Sequence, residues 1–230
     1  MSNTPGVVDE SAGQHAMFLI LSCLRNVSTL SNALHAGEWR GNAELGTLPA
    51  GKTLGIVGLG GIGRVLARLA IAHGMQIQYC NRQELPDNPF GARYVSQQEL
   101  LSTSDVISIH VPLNASTQRM IGASEIRRMK EGSVLINTSR GKVLDEAALV
   151  DALDRGHLGS VGLDVFEGEP CIHAGLEKHE SSVLTPHIAT FTHEARYAVE
   201  LLTLENAKMA ILDGLLKTPV AEMPTRSLHS

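Results

Sequence analysis

The sequence predicts an α/β protein built on a doubly wound parallel sheet. From Thr53 onward, short apolar runs recur, each followed by a break and then a stretch with helical period. The runs are apolar throughout instead of alternating, the pattern of strands covered on both faces. Strands that alternate with helices pair in parallel through right-handed crossovers, which leaves few other architectures.

Taken in chain order, Glu10–Asn26 keeps apolar side chains on most of its turns and lacks proline, so it reads as a buried helix, with a shorter helix near Ser28–His35. The expected strands are Thr53–Gly58, Gln76–Asn81, Asp105–His110, Ser133–Thr138, Ser160–Asp164 and Ser182–Thr185. Ser96-Gln97-Gln98-Glu99 has the form of a capping box. Asp145-Glu146 places negative charge in a first turn, Arg155 positive charge in a last turn and Gly156 a C-cap, which defines a helix over Glu146–Arg155. A last helix, Glu194–Leu216, precedes a tail, Lys217–Ser230, expected to be poorly ordered.

Composition narrows the function. The 230 residues are 43% apolar and 19% charged, enough to bury a large core and contrary to disorder. Nineteen Lys and Arg against 24 Asp and Glu give a net charge of −5, and aromatics make up 3%, which opposes the basic, ring-bearing surface of a nucleic-acid partner. Cys23, Cys80 and Cys171 are far apart and form no CxxC pair, so neither a disulfide framework nor a metal site is expected, and a reducing compartment fits. The apolar run Ala16–Leu21, even extended to Leu24, falls short of the about 20 residues of a membrane span. The first ten residues carry no basic side chain, so no leader peptide and no membrane partner are expected, and the expected location is cytoplasmic.

One motif points to a ligand. Gly58-Leu59-Gly60-Gly61-Ile62-Gly63 is GxGxxG, closing an apolar strand and opening an amphipathic helix, the setting in which this pattern binds dinucleotides. Gly58 permits the tight turn, Gly60 close approach of backbone to pyrophosphate, and Gly63 packing of helix on strand. The helix N-terminus supplies free N–H groups to the phosphates. The next strand should end in a carboxylate for the adenosine ribose, but Asn81-Arg82 stands there. Loss of the carboxylate and the Arg82 fork favour NADP(H), with NAD(H) possible and a solvated Arg82 as the plain alternative. In a doubly wound sheet the ligand lies beyond the carboxyl ends of the strands. His110-Val111-Pro112, Thr138-Ser139-Arg140-Gly141, Asp164 to Glu169 and Thr185-Pro186-His187 all occupy that end.

VGLGGIGRVLA, HVPLNAST, INTSRG, GLDVFEGEP and TPHIATFT, in this order, resemble the D-isomer-specific 2-hydroxyacid dehydrogenases, particularly their glyoxylate and hydroxypyruvate reductase branch. The resemblance runs from about Thr4 to Leu216 and implies a Rossmann-type cofactor domain over residues 1–193, with residues 194–230 a helix and tail left from a substrate domain. It assigns Arg140, Glu169 and His187 to catalysis. To the cofactor it assigns Gly58, Gly60, Gly61, Ile62, Gly63, Asn81, Arg82, His110, Val111, Pro112, Thr117, Thr138, Ser139, Asp164 and Ala189, with Arg140 and His187 reaching it too. Asp164 is expected to position His187 or the nicotinamide ribose.

The chemistry accounts for these residue types. Reduction of a small 2-oxo acid builds negative charge on the carbonyl oxygen, and imidazole is the side chain suited to deliver a proton there near neutral pH. His187 takes this part, with Glu169 fixing its ring; His110, also at a strand end, is the lesser candidate. Arg140 can bind the substrate carboxylate without changing its own charge. The other histidines, His15 among them, read as surface or structural.

Members of the family it resembles usually carry a substrate domain ahead of the segment that begins here near Thr4, so about 100 residues, a typical small domain, are expected to be missing from this chain, leaving the site more open to water. Two readings follow: a reductase of 2-oxo acids, or a catalytically silent nucleotide-binding module. The resemblance also implies a homodimer through the helix around Met17–Leu24 and the loop with Trp39, and apolar exposure at Leu201, Leu202 and Ile211 with a tendency to aggregate.

Overall fold

The computed structural model describes residues 1–40, 44–87 and 89–220. Seven strands, β1 Thr53–Val57, β2 Gln76–Cys80, β3 Arg93–Tyr94, β4 Val106–Ile109, β5 Ser133–Asn137, β6 Leu158–Leu163 and β7 Ser182–Leu184, form one sheet in the order β3-β2-β1-β4-β5-β6-β7. Every pair is parallel. The chain winds outward from β1 in one direction and from β4 in the other, so the topological switch lies between these two strands, where such sheets open a crevice.

Helices cover both faces, as uniformly apolar strands require. On one face lie α1 (Asp9–Leu24) and α3 (Gly61–Ala72), with α2 (Val27–His35) following α1. Leu19, Ile20, Leu66 and Ala67 pack there against Leu54 and Ile56. On the other face α4 (Gln97–Thr103), α5 (Ala123–Ile126), α6 (Glu146–Asp154) and α7 (Ala174–Lys178) bury Leu100, Ile126, Leu149 and Leu176 against Ile107, Leu135 and Val161. The last helix, α8, spans His193–Asp213 and ends on Gly214 in the left-handed region.

Several boundaries differ from the sequence reading for physical reasons. The first helix stops at Leu24 because Asn26 is left-handed, at φ 52°, and starts α2 in a new direction. β3, α5 and α7 were not expected; they are two to five residues long, too short for a periodic signal. Ser96 caps α4 by accepting from Glu99 N–H at 3.2 Å, but the reciprocal half of the box is replaced by a pair between the Glu99 carboxylate and Arg93. Part of the tail is held: Thr218 N–H donates to Asn206 Oδ1 at 3.0 Å, Thr218 Oγ1 donates to Asn3 O at 2.6 Å, and Ser2 bridges Pro219. The rest of the expected disordered tail, 221–230, lies outside the described residues.

No single helix among the described residues is long and apolar enough to cross a membrane; α1 and α2 have the length and composition only together, and they meet at a 69° bend. Nor do the described residues hold a cluster of His, Cys, Asp or Glu fit for a metal ion. All three cysteines are free, and burial pushes the Cys23 thiol up to about 12 and the Cys80 thiol up to about 11.

Candidate active site

The crevice is built from the residues that follow the strands. After β1, Gly58 turns at φ 98°, where a side chain would also meet His110 O at 2.7 Å. A Cβ on Gly63 would lie 2.6 Å from Gly58 O, so the start of α3 can approach β1 only with glycine there. Gly60 differs: a Cβ on it meets nothing within 4 Å, and the space before it is open to a ligand. Gly61, Ile62 and Gly63 form the first turn of α3, whose N–H groups have no partners within the helix.

At the end of β2 the Asn81 carboxamide turns inward, its Oδ1 accepting from Leu59 N–H at 2.8 Å. It shapes the glycine turn, and Arg82, exposed, is the side chain left facing outward at this strand end. Farther along the same loop Asp87 is held by Arg64 of α3 through two bonds of 2.7 and 2.9 Å, and Glu84, two residues after Arg82, is exposed. Across the switch point, His110 follows β4. Its Nε2 is 2.8 Å from Ser108 Oγ, its buried Nδ1 has no partner, and burial lowers its pKa to about 4, so the ring is neutral near pH 7. A neutral ring is a poor proton donor there, and a cofactor-lining place suits it better. Val111 packs at the glycine turn. The Thr117 hydroxyl is engaged in its own loop, donating to Pro112 O at 2.6 Å and accepting from Asn114 N–H at 2.9 Å.

After β5 the loop is pinned from below by Asn137, fully buried, whose Oδ1 accepts from Ser139 N–H and Oγ at 2.9 and 2.7 Å and whose Nδ2 donates to Arg140 O at 3.0 Å. Arg140 is thereby directed outward, one guanidinium N–H on Ser139 O. Thr138 Oγ1 is buried and unpartnered, a second polar atom after His110 Nδ1 left for a ligand or water at this end of the sheet. Gly141 has no alternative: a Cβ would lie 1.9 Å from the Phe166 carbonyl carbon. That contact presses the Arg140 loop against the Glu167-Gly168-Glu169 loop.

This second loop is braced by buried charge. Glu146 Oε1 accepts from Glu167 N–H at 2.6 Å, and Glu167 Oε1 from Glu146 N–H at 3.0 Å. Burial, with the neighbouring Glu167 and Glu169 carboxylates, raises the Glu146 carboxyl above its usual range. Glu169 then spans two loops, Oε1 accepting from Phe166 N–H at 3.0 Å and Oε2 lying 2.8 Å from His187 Nδ1. Burial alone would raise its carboxyl; the bonds from His187 and Phe166 and the charges of His187 and Arg140 outweigh that and hold it below the ordinary range.

His187 itself adopts φ 54°, a left-handed conformation unusual for a residue with a side chain. Its N–H donates to Asp164 O at 2.9 Å. The Asp164 carboxylate, fully buried, accepts from Thr185 Oγ1 at 2.7 Å and from Ile188 and Ala189 N–H at 2.8 Å each. Burial disfavours that charge, but bonds from His15, Thr185, Ile188 and Ala189 prevail and keep it ionised. The Asp164 carboxylate has no exposed surface, and these bonds tie it to the loop that carries His187. Sequence reasoning missed this supporting layer of Asn137, Glu146 and His15. Only Asn137, two residues before Ser139 in a turn-forming stretch, left a readable signal.

Comparison with known proteins agrees with this geometry. Residues 17–189 match the family model described as "D-isomer specific 2-hydroxyacid dehydrogenase, NAD binding domain". The chain is 46% identical over 223 residues to 4-methyl-2-oxopentanoate reductase A of Aspergillus oryzae, covering 96% of this chain and 68% of that one. It is 43% identical to a glyoxylate reductase of Thermococcus litoralis, covering 90% and 65% respectively. Among solved structures, a glyoxylate reductase from Paecilomyes thermophila superposes with a TM-score of 0.94 at 49% identity, over 96% of this chain and 68% of that one. An NADPH-dependent glyoxylate/hydroxypyruvate reductase from Sinorhizobium meliloti, solved with NADP and malonate, superposes at 0.91 and 35%, over 98% and 71%.

Proposed function

The chain belongs to the D-isomer specific 2-hydroxyacid dehydrogenases, and we propose that it reduces a small 2-oxo acid of the glyoxylate or hydroxypyruvate type to the D-2-hydroxy acid with a nicotinamide dinucleotide. The observation that carries this reading is the His187 Nδ1 to Glu169 Oε2 contact of 2.8 Å, on a loop neighbouring Arg140 at the carboxyl end of a sheet that also bears the glycine turn.

The residues present fit a dinucleotide. Open space before Gly60, unpaired N–H groups at Gly61, Ile62 and Gly63, and the buried, unpartnered atoms of His110 and Thr138 would hold it, with Val111, Pro112, Ser139 and Ala189 along the crevice. When bound, its reduced ring supplies hydride to the carbonyl carbon of the 2-oxo acid. Glu169 accepts from His187 Nδ1, which leaves Nε2 as the ring atom that holds and delivers the proton to the carbonyl oxygen. Arg140, always charged, binds the substrate carboxylate and stabilises the developing oxyanion. Asp164 orients the His187 backbone and moves no proton.

The preferred coenzyme under this reading is NADPH, because the exposed Arg82 stands beyond β2, where a carboxylate would be wanted for the adenosine ribose of NADH. Residues 1–193 act as the dinucleotide-binding unit, and α8 extends from it. A second reading has one observation in its favour: the His187 and Glu169 side chains are 48% and 35% exposed, and water on the open side weakens electrostatic catalysis. In that reading the chain binds the dinucleotide without turnover.

Absorbance of NADPH during incubation with glyoxylate or hydroxypyruvate separates the two. Consumption, faster with NADPH than with NADH, is the expected result; tight binding of NADPH with no consumption for either acid would overturn the reductase reading. Stronger binding of NADH than NADPH in a fluorescence titration would overturn the coenzyme preference.

A further inference from the structure

The first helix reaches the loop of His187 with two side chains on one face. Ser11 and His15 are four residues apart, so they lie one above the other on α1. Ser11 Oγ donates to Ala189 O at 3.0 Å. His15 Nε2 lies 2.9 Å from Thr185 Oγ1 and 3.4 Å from Asp164 Oδ1. Thr185 has a single hydroxyl proton and gives it to Asp164 Oδ1 at 2.7 Å, so its oxygen is the acceptor toward His15, which must carry hydrogen on Nε2.

The chain of bonds therefore has a direction. It runs from His15 Nε2–H to Thr185, from Thr185 to Asp164, and meets at the Asp164 carboxylate the N–H groups of Ile188 and Ala189, the two residues after the left-handed His187. We propose that His15 is a positioning residue for His187: its N–H orients the Thr185 hydroxyl onto Asp164, and Asp164 so held fixes the backbone that aims His187 at Glu169. Four of the five groups in the chain belong to the segment after β6 and β7, and His15 is the one supplied from 170 residues away in sequence. The proposal rests on reading His187 as the proton donor, but the bond network itself does not depend on that.

A plain packing role is the competing explanation, since the His15 ring also lies 5.6 Å from the Phe18 ring at 34°. Two variants of the full chain divide them. His15→Phe keeps an aromatic ring and loses the N–H, whereas His15→Gln loses the ring and keeps a donor of similar reach. Amide hydrogen exchange of Ile188 and Ala189 is the readout, with the amides of β1 and β4 as the internal reference for global stability. Exchange at Ile188 and Ala189 is expected to quicken about tenfold in His15→Phe and stay within about twofold of the parent in His15→Gln, with β1 and β4 unchanged. Where the parent turns over, kcat should fall about tenfold in His15→Phe with the NADPH dissociation constant unaltered.

Unchanged protection in His15→Phe, equal loss in both variants, or loss shared with β1 and β4 would each overturn the proposal. If the exchange pattern is as expected while the parent shows no turnover, the reductase reading fails and the positioning role stands.

Discussion

His187 is held in a backbone conformation that costs roughly 1–3 kcal/mol for a residue with a side chain, and such strain persists only where surrounding bonds over-determine it. Here the bonds are those of Asp164, and they set the first expectation. Hydrogen bonds to a charged group contribute about 1.5–3 kcal/mol each, so Asp164→Asn, which sets an N–H against an N–H, should cost about 3 kcal/mol at neutral pH in urea unfolding. The pH dependence has a defined sign. The folded carboxyl is lowered below its value of about 3.9 in unfolded chains, so its contribution is present above that value and is lost as pH falls through the folded one. The gap between parent and variant should close below about pH 4; a gap constant down to pH 2 would contradict the role. His187→Ala should lower turnover by about 10³-fold, within the range of general acid–base catalysis, with NADPH affinity nearly unchanged. Glu169→Gln should lower turnover by about tenfold or more in a steady-state assay with NADPH affinity nearly unchanged, because the carboxylate that fixes the His187 ring through Nδ1 is lost.

Element by element, the sequence made the sheet legible and blurred one consistent feature. Each expected strand ran one residue too far: Gly58, Asn81, His110, Thr138, Asp164 and Thr185 all lie just beyond the strand that was assigned to them. These are the residues that leave the ladder to build the crevice, and apolar texture alone does not separate a last paired residue from a first functional one. The charged partners Glu169 and Arg140 were legible because they stand in recognisable motifs. Those beneath them, His15 and Glu146, were not, because each comes from a helix distant in sequence and its part is defined only by what it touches. The glycine turn offers a test at this scale. Gly60→Ala should leave the melting temperature unchanged while weakening dinucleotide binding at least tenfold, since its Cβ enters only the open space. Gly63→Ala should destabilise the chain by about 1–3 kcal/mol, as overpacking does, because its Cβ meets Gly58 O. Equal melting temperatures for both variants would remove the distinction drawn between these glycines.

For the molecule as a whole, the distribution of apolar surface departs from what the sequence led us to expect. Met17, Leu19, Ile20, Cys23 and Leu24, expected at a dimer contact, are buried within the chain between α3 and the sheet. Exposed apolar groups on α1, on α2 and just after it include Phe18, Val27, Leu34 and Trp39. Leu202 is likewise buried, whereas Leu201 and Ile211 of α8 are exposed, together with Leu204 and Leu212. Exposed apolar groups on α2 and on α8 can serve as contact faces. We propose that the α2 and Trp39 side joins two copies: sedimentation velocity should show concentration-dependent association, and Leu34→Asp with Trp39→Asp should restore a monomer. A parent that stays monomeric and melts cooperatively at high temperature would contradict both the dimer and the expected tendency to aggregate.

Reduction by this chain requires a nicotinamide dinucleotide in the crevice between β1 and β4, beside His187, Glu169 and Arg140. Calorimetric titration of NADPH into the full chain, repeated with Gly60→Ala, measures this directly. One site per chain, with heat lost or sharply reduced in the variant, is the expected result; no heat with NADPH or NADH, or heat unaffected by Gly60→Ala, would contradict it.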